Sequence, residues 1–201
     1  MELTPDEIAV VTDRERLLAK TAATVKLKGH LEALHGELFL QVQAQHAGWR
    51  VPAGFDPAAS QIARGESLEG TPYQYMDFPR FFTKDVFFTF RAMLWWGRGV
   101  CFAWILKGDD TAAFRRALYD GPSVSGVGRI TPEPGIWFGG DPWDWEGFVP
   151  LSSVPPEALE SMDFLKVGRM LPLTPERLTR DGFVAAGMET FNAIVPILSR
   201  E

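Results

Sequence analysis

Two charged residues stand in strand patterns that are otherwise strongly apolar or aromatic. Arg91 alternates with large apolar residues in one predicted strand, and Asp77 alternates with Tyr73 and Tyr75 in another. A buried charge destabilises a fold unless it is paired, so Arg91 is expected to have an acidic partner. Asp77 is the first candidate for that partner, and Asp85 is the second.

This pairing allows two interpretations. In the first, which is favoured, the ion pair locks two strands of a sheet together. In the second, the arginine receives the carboxylate or phosphate of a ligand in a pocket lined by tyrosine and tryptophan. Arg80, Lys84 and Asp85 stand just outside the predicted strands, where either a binding site or plain solvated charge is expected. The candidate ligand-binding residues are Tyr73, Tyr75, Asp77, Arg80, Asp85, Arg91 and Trp95.

The segment 141–146, Asp-Pro-Trp-Asp-Trp-Glu, has the most unusual composition in the chain. Its carboxylates offer oxygen ligands for Ca²⁺ or Mg²⁺, but their spacing fits no EF-hand loop. Side chains of a strand alternate, and this favours Trp143 and Trp145 packing on the core while Asp144 and Glu146 face water.

Zinc, nucleophile and nucleotide signatures are absent from the sequence. His30 and His35 do not have the i and i+4 spacing of a helical zinc pair, and with His46 they are expected to be surface histidines. The Ser-Val-Ser-Gly segment at 123–126 lacks the glycines of a nucleophile elbow, and Gly-Val-Gly at 126–128 lacks the rest of a phosphate-binding loop. We therefore expect no metal site and no cofactor.

The N-terminal segment 1–46 is predicted to be helical. Thr4, Pro5 and Glu7 form the capping-box pattern of a helix start, and Thr12 with a glutamate three residues on predicts a restart. From 14 to about 45, apolar residues recur on one face of a long amphipathic helix that is bent or closely packed near Gly29.

The middle of the chain predicts strands. A strand at 71–78 is expected to end at Pro79, and the runs 86–96 and 100–107 flank a Gly-Arg-Gly turn and predict a central antiparallel hairpin. Both faces of this hairpin are mostly apolar, which indicates cover on both sides. The preceding stretch, 47–70, is expected to be a connector with one short helix at 57–63.

The remaining elements are shorter. Helices are predicted at 111–119, after Pro156, and from Thr174 to the C-terminal region, where Pro196 should disturb the final turn. Short strands are predicted at 126–130, 136–139, 148–151 and 164–171.

This element order, with its tight hairpin, predicts an α+β fold: a central antiparallel β-sheet with a long N-terminal helix and a C-terminal helix packed on it. We expect a single domain over 1–201, with an N-terminal helical segment (1–46), a sheet-containing core (71–173) and a C-terminal helix (174–201).

Composition narrows the class of partner. The 201 residues are 46% hydrophobic, which suits a packed core, and the net charge of −6 disfavours nucleic acid and anionic membrane surfaces. Cys101 is the single cysteine, so it forms no intrachain disulfide, and the N-terminus lacks signal-peptide features. A cytoplasmic location is expected.

Two blocks carry a resemblance to a protein family. They are Gly-Thr-Pro-Tyr-Gln-Tyr-Met-Asp-Phe-Pro-Arg-Phe-Phe at 70–82 and Phe-Arg-Ala-Met-Leu-Trp-Trp-Gly at 90–97. Together they resemble a group of small uncharacterised bacterial proteins of similar length. The resemblance implies a shared fold and carries over no catalytic residue.

The leading functional hypothesis is a non-catalytic binding or protein-interaction domain, whose partner is another protein or a second copy. It depends on the aromatic wealth around the hairpin and the absence of a catalytic motif. The alternative is an enzyme of unknown class with a polar site (Asp77, Arg80, Asp85, Arg91) in an aromatic-lined pocket. A third possibility, a carrier of an apolar small molecule, predicts a large cavity lined by tryptophan and no convergence of polar side chains.

Overall fold

The computed structural model describes residues 2–120 and 130–200, and within these ranges seven strands form one antiparallel sheet. The strands are β1 (Gln61–Leu68), β2 (Thr71–Phe82), β3 (Phe87–Trp95), β4 (Gly99–Lys107), β5 (Gly135–Trp137), β6 (Phe148–Pro150) and β7 (Phe164–Leu171). Their order across the sheet is β1-β2-β3-β4-β7-β5-β6. The predicted hairpin of β3 and β4 is confirmed and lies near the middle of the sheet.

Helices pack on one side of this sheet. The described helices are α1 (Pro5–Thr12), α2 (Arg14–Gln45), α3 (Thr111–Asp120), α4 (Pro156–Glu160) and α5 (Arg180–Ile194), with 3₁₀ turns at His46–Gly48, Leu151–Ser153 and Val195–Leu198. Phe90 and Phe102 of the hairpin are fully buried with Leu34 of α2 and Phe183 and Phe191 of α5. The predicted α+β fold, with a long N-terminal and a C-terminal helix on an antiparallel sheet, is confirmed.

The opposite side of the sheet, which we call the front face, has its own smaller core. Met93, Trp95 and Cys101 of the hairpin pack there with Trp137 and Trp145. Alternation of side chains along β3 and β4 therefore buries both faces of the hairpin, as its two apolar faces predict.

The helix predicted at Pro57–Ala63 is wrong, because the chain there enters the edge strand β1. Its residues pair with β2 from Gln61 opposite Asp77 to Leu68 opposite Thr71. β1 is largely exposed or half-buried, so its sequence lacks the apolar alternation that marks a strand. The sheet thus begins at Gln61, ahead of the expected start at Thr71.

The long helix is confirmed from Arg14 to Gln45, but its apolar face is buried only in the second half. Leu31 and Val42 are fully buried, whereas Leu18 and Val25 are 52% and 68% exposed. The restart is capped by the side chain of Asp13, which accepts a hydrogen bond from the Arg16 backbone N–H, and not by Thr12 as predicted.

The last helix begins later than predicted. Thr179 caps α5 by accepting a hydrogen bond from the backbone N–H of Gly182 at 3.1 Å, while residues 175–178 form turns. The expected disturbance at Pro196 is confirmed by the 3₁₀ turn that follows α5. The patterns discussed at 123–128, and the strand predicted at 126–130 apart from its last residue, lie outside the described residues; Ile130 is in a bend.

Candidate functional site

Asp77 and Arg91 form a buried, two-pronged ion pair on the front face. They are directly opposed on β2 and β3, and the arginine Nε and Nη2 donate to Oδ1 and Oδ2 of the carboxylate, each at 2.7 Å. Asp77 is 1% exposed and Arg91 is 8% exposed. The predicted pairing is confirmed, and Asp77 rather than Asp85 is the partner.

Aromatic rings hold the Arg91 guanidinium on both sides. Its central carbon lies 4.2 Å from the ring centroid of Tyr75 and 4.5 Å from that of Trp143. Both distances are within the range of a cation–π contact. The ion pair with Asp77 fixes the plane of the guanidinium, and the two rings fix its position.

A β-bulge brings a second arginine to the same face. Asp77 is opposite Arg91 and Arg80 is opposite Thr89, so Phe78 and Pro79 together face the single residue Phe90. The Phe78–Pro79 peptide bond at this point is cis. Strict alternation would send Arg80 to the helix side, and the extra residue of the bulge returns it to the front face. The strand therefore continues past Pro79, which was predicted to end it.

These side chains surround a cavity of about 420 Å³ that is open to solvent, which we call the front cavity. Its lining residues are Gln61, Leu68, Tyr73, Tyr75, Asp77, Arg80, Phe82, Arg91, Met93, Trp143 and Trp145. Five of the seven candidate ligand-binding residues are thus brought together. Asp85 is exposed in the β2–β3 turn, outside the cavity, and Trp95 is buried with its indole N–H donating to Thr71 Oγ1 at 2.8 Å.

Arg80 is the arginine of the front cavity that lacks a carboxylate partner among the described residues. Its Nε is buried and makes no hydrogen bond with the described part of the chain, while its guanidinium carbon lies 4.9 Å from the ring centroid of Phe82. A buried N–H without an acceptor is unfavourable. An anionic group in the cavity would give the Arg80 guanidinium the charged partner that the described residues do not provide.

Lys166 is buried behind Trp145, which lines the front cavity, and this buried charge was not predicted from the sequence. Its side chain is fully buried, its Nζ donates to the Asp144 carbonyl oxygen at 2.7 Å, and the Nζ lies 3.4 Å from the ring centroid of Trp145. Burial lowers the pKa of Lys166 to about 7 and raises the pKa of the Cys101 thiol to about 12. The signal for Lys166 was the one used for Arg91: a charge within an apolar strand pattern.

Residues 138–147 form a segment that covers part of the front face. Asp141 and Asp144 each accept a hydrogen bond from a backbone N–H two residues on, which shapes the turn. Trp145 is buried as predicted, but Trp143 is 37% exposed because it forms the outer wall over Arg91. No group of three or more potential metal ligands exists among the described residues.

Arg169 is the second buried arginine among the described residues, and it lies on the helix side of the sheet. It donates to Thr190 Oγ1 at 2.8 Å, to the Ala186 carbonyl at 3.0 Å and to Glu189 Oε2 at 2.8 Å. These bonds tie β7 to α5, so Arg169 acts in the fold and lies outside the front cavity.

The histidines are more embedded than expected for surface residues. His30 Nε2 lies 2.9 Å from the Leu178 carbonyl oxygen, and His46 Nδ1 lies 2.9 Å from that of Val42. The ring of His35 meets Phe78 edge-on at 4.6 Å between centroids, and burial lowers the pKa of His35. All three serve the packing of α2.

A second cavity of about 470 Å³ lies between α2, the β3–β4 turn and the segment before α5, and we call it the apolar groove. Its lining residues are Ala23, Lys26, Leu27, His30, Leu94, Trp95, Trp96, Gly97, Leu173 and Leu178. The indole N–H of Trp96 is buried there without a hydrogen-bond partner among the described residues. The groove shares no lining residue with the front cavity.

Comparison of the chain with protein-family models, with curated proteins and with solved structures found no match. Among the described residues, no helix has both the length and the apolar character needed to cross a membrane.

Proposed function

We propose that this chain is a non-catalytic binding protein whose front cavity takes a small, flat molecule bearing a carboxylate or phosphate group. The observation that carries the proposal is Arg80, which stands at a cavity with aromatic walls and has a buried Nε that lacks a partner among the described residues. Charge-assisted hydrogen bonds from arginine to such anions are among the strongest in proteins.

The walls suit a flat ligand body. Tyr73 and Tyr75 stand side by side with nearly parallel rings, 13° apart and 6.0 Å between centroids, and Trp143 faces Tyr75 across the Arg91 guanidinium. Aromatic walls with a few fixed polar groups are typical of small-molecule sites. With two arginines against one aspartate, the site is also more positive than the rest of this acidic chain.

The alternative, an enzyme of unknown class, has less support from the same side chains. Acid–base catalysis needs a group that exchanges protons near neutral pH. Asp77 is the one carboxylate among the residues that line the front cavity, and both of its oxygens already accept hydrogen bonds from Arg91. Arginine does not exchange its proton in proteins. Lys166, whose pKa burial lowers to about 7, is fully buried and does not line the cavity.

The test is calorimetric titration with 2-naphthoate and 2-naphthyl phosphate, using 2-naphthamide as a neutral compound of similar shape. Both anions should bind more tightly than the amide. Arg80→Gln should weaken the anions by about ten- to a hundredfold, the equivalent of one lost charged hydrogen bond. Lys84→Gln removes an exposed cation four residues away and should change nothing. Equal binding of the amide and the anions would contradict the proposal.

A second candidate function, carriage of an apolar small molecule, is favoured by the apolar groove. Its wall is hydrophobic apart from Lys26 and His30, and it includes both Trp95 and Trp96. An apolar ligand such as naphthalene should bind there, and Leu173→Glu should abolish that binding while leaving the affinity of 2-naphthoate for the front cavity unchanged.

A further inference from the structure

The first two helices carry most of the exposed apolar side chains of this protein. Of the ten large exposed hydrophobic residues in the described ranges, seven lie between Leu3 and Val25. Exposed apolar side chains that share one side of a helix can form a contiguous patch, and such patches mark interaction surfaces.

Helix α1 has almost nothing to hold it in place within one copy of the chain. It is eight residues long and contains no buried residue. An isolated helix of this length is marginal in water, even with the Thr4–Glu7 capping box. Ile8 and Val11 lie one turn apart on the same side of α1 and are 47% and 57% exposed.

The first half of α2 also has exposed apolar residues along one side. Leu18 and Val25 lie two turns apart on one side of the helix and are 52% and 68% exposed. The buried side of α2 begins only at Leu31, which is fully buried. The first half of α2 is tied to the sheet through Lys20 and Thr24, and its side that carries Leu18 and Val25 stays exposed and is open to a partner.

The charges of these two segments are opposite. Residues 2–13, which we call the acidic arm, contain four carboxylates and no lysine or arginine. Residues 14–28, the basic helix, contain five lysines and arginines and the single carboxylate Glu15. Three cations of the basic helix, Arg16, Lys20 and Lys28, make solvent-exposed ion pairs within the chain. The charges of Glu2, Asp6, Arg14 and Lys26 form no ion pair within the described residues and are available to a partner.

We propose that the partner is a second copy of this chain, with the acidic arm of each copy lying along the basic helix of the other. In a twofold contact, each copy gives and receives the same surface, so one arrangement pairs both sets of charges at once. The same contact covers the exposed side chains of α1 and of the first half of α2. This dimer is independent of what the front cavity binds.

The test reverses the charge of the acidic arm in one variant and the charge of the basic helix in another. Variant A carries Glu2→Lys and Asp6→Lys, which leave the Thr4–Glu7 capping box intact, and variant B carries Arg14→Glu and Arg16→Glu. The wild type should be a dimer by sedimentation equilibrium. In each variant alone, like charges face each other, and the dimer should weaken by about tenfold or more. An equimolar mixture should restore the dimer, because each arm again meets a helix of opposite charge.

Leu18→Glu tests the apolar part of the contact, with Leu40→Glu as its matched control. Leu40 is on the same helix and is 67% exposed, but it lies outside the proposed contact. Leu18→Glu should weaken the dimer by about tenfold or more, and Leu40→Glu should leave it unchanged. Any one of four results would overturn the proposal. The wild type could stay monomeric up to its solubility limit, or variants A and B could remain dimeric. The mixture of the two variants could fail to reassociate, or the two leucine variants could weaken the dimer equally.

Discussion

Arg91 and Asp77 are directly opposed across β2 and β3, and the guanidinium donates one hydrogen bond of 2.7 Å to each oxygen of the carboxylate. The pair is buried, and the rings of Tyr75 and Trp143 lie on either side of the arginine. This arrangement makes Arg91 a structural residue of the site, because it holds the sheet and the covering segment together. Arg80 lies beyond the β-bulge on the same face of the sheet and has no carboxylate partner among the described residues, so it is the arginine that can bind a ligand.

The first prediction concerns the stability that this pair provides. Arg91→Met leaves the carboxylate of Asp77 buried without its partner and should lower the free energy of unfolding by about 3–5 kcal/mol. The double variant Asp77→Leu, Arg91→Met removes the unpaired charge and should recover much of that loss. Urea denaturation followed by circular dichroism measures both. An Arg91→Met protein that is as stable as the wild type but no longer binds 2-naphthoate would instead make Arg91 a ligand residue.

The second prediction concerns Lys166 and pH. Its pKa is about 7 in the folded chain, against an ordinary value of 10.5, so between these two pH values the unfolded chain binds a proton that the folded chain does not. Stability must then rise with pH in this window, by about 1.4 kcal/mol per pH unit from this group.

Lys166→Met removes that contribution. Its free energy of unfolding should exceed that of the wild type near pH 7, and the difference should shrink as the pH rises toward 10. The exposed control Lys84→Met should follow the wild type at every pH. Parallel curves for the wild type and Lys166→Met would show that the lysine titrates near its ordinary pKa in the folded protein.

The third prediction separates two glycines. A Cβ at Gly29 of α2 would meet no atom within 4 Å, so close packing, one of the two alternatives predicted there, is wrong. Gly29→Ala should therefore stabilise the protein by about 0.5–1 kcal/mol through helix propensity. A Cβ at Gly168 of β7 would overlap the Phe102 carbonyl oxygen of β4, so Gly168→Ala should destabilise by about 1–3 kcal/mol. Thermal denaturation of the two variants would contradict this account if both shifted in the same direction.

Local patterns predicted the elements that depend on near neighbours. The structure confirms the Gly-Arg-Gly turn, the alternating strands on both sides of it and the capping box at Thr4. It also confirms the strand predicted at Phe164–Leu171, with the predicted bounds. The pairing of Asp77 with Arg91 was also within reach, because a buried charge needs an opposite charge nearby.

The predictions that were wrong concern elements whose structure depends on contacts with distant segments of the chain. β1 is a strand because β2 supplies hydrogen bonds to an otherwise weak sequence, and the strand continues past Pro79 because a bulge against Phe90 keeps the ladder paired. Lys166 carries the same local signal as Arg91, a charge within an apolar strand pattern, but its cover by Trp145, which is 21 residues away in the chain, comes only from the tertiary structure.

The sequence by itself determined the α+β class, the central hairpin and the need of Arg91 for an acidic partner, since these follow from the alternation of side chains and from the free energy of burying a charge. Only the tertiary structure decided that Arg80 joins Asp77 and Arg91 at one cavity, that Asp85 does not, and that the first two helices leave their apolar sides open. The physical reason is that strand register, the bulge and the cover over each face come from contacts between segments far apart in the chain, which no local pattern records.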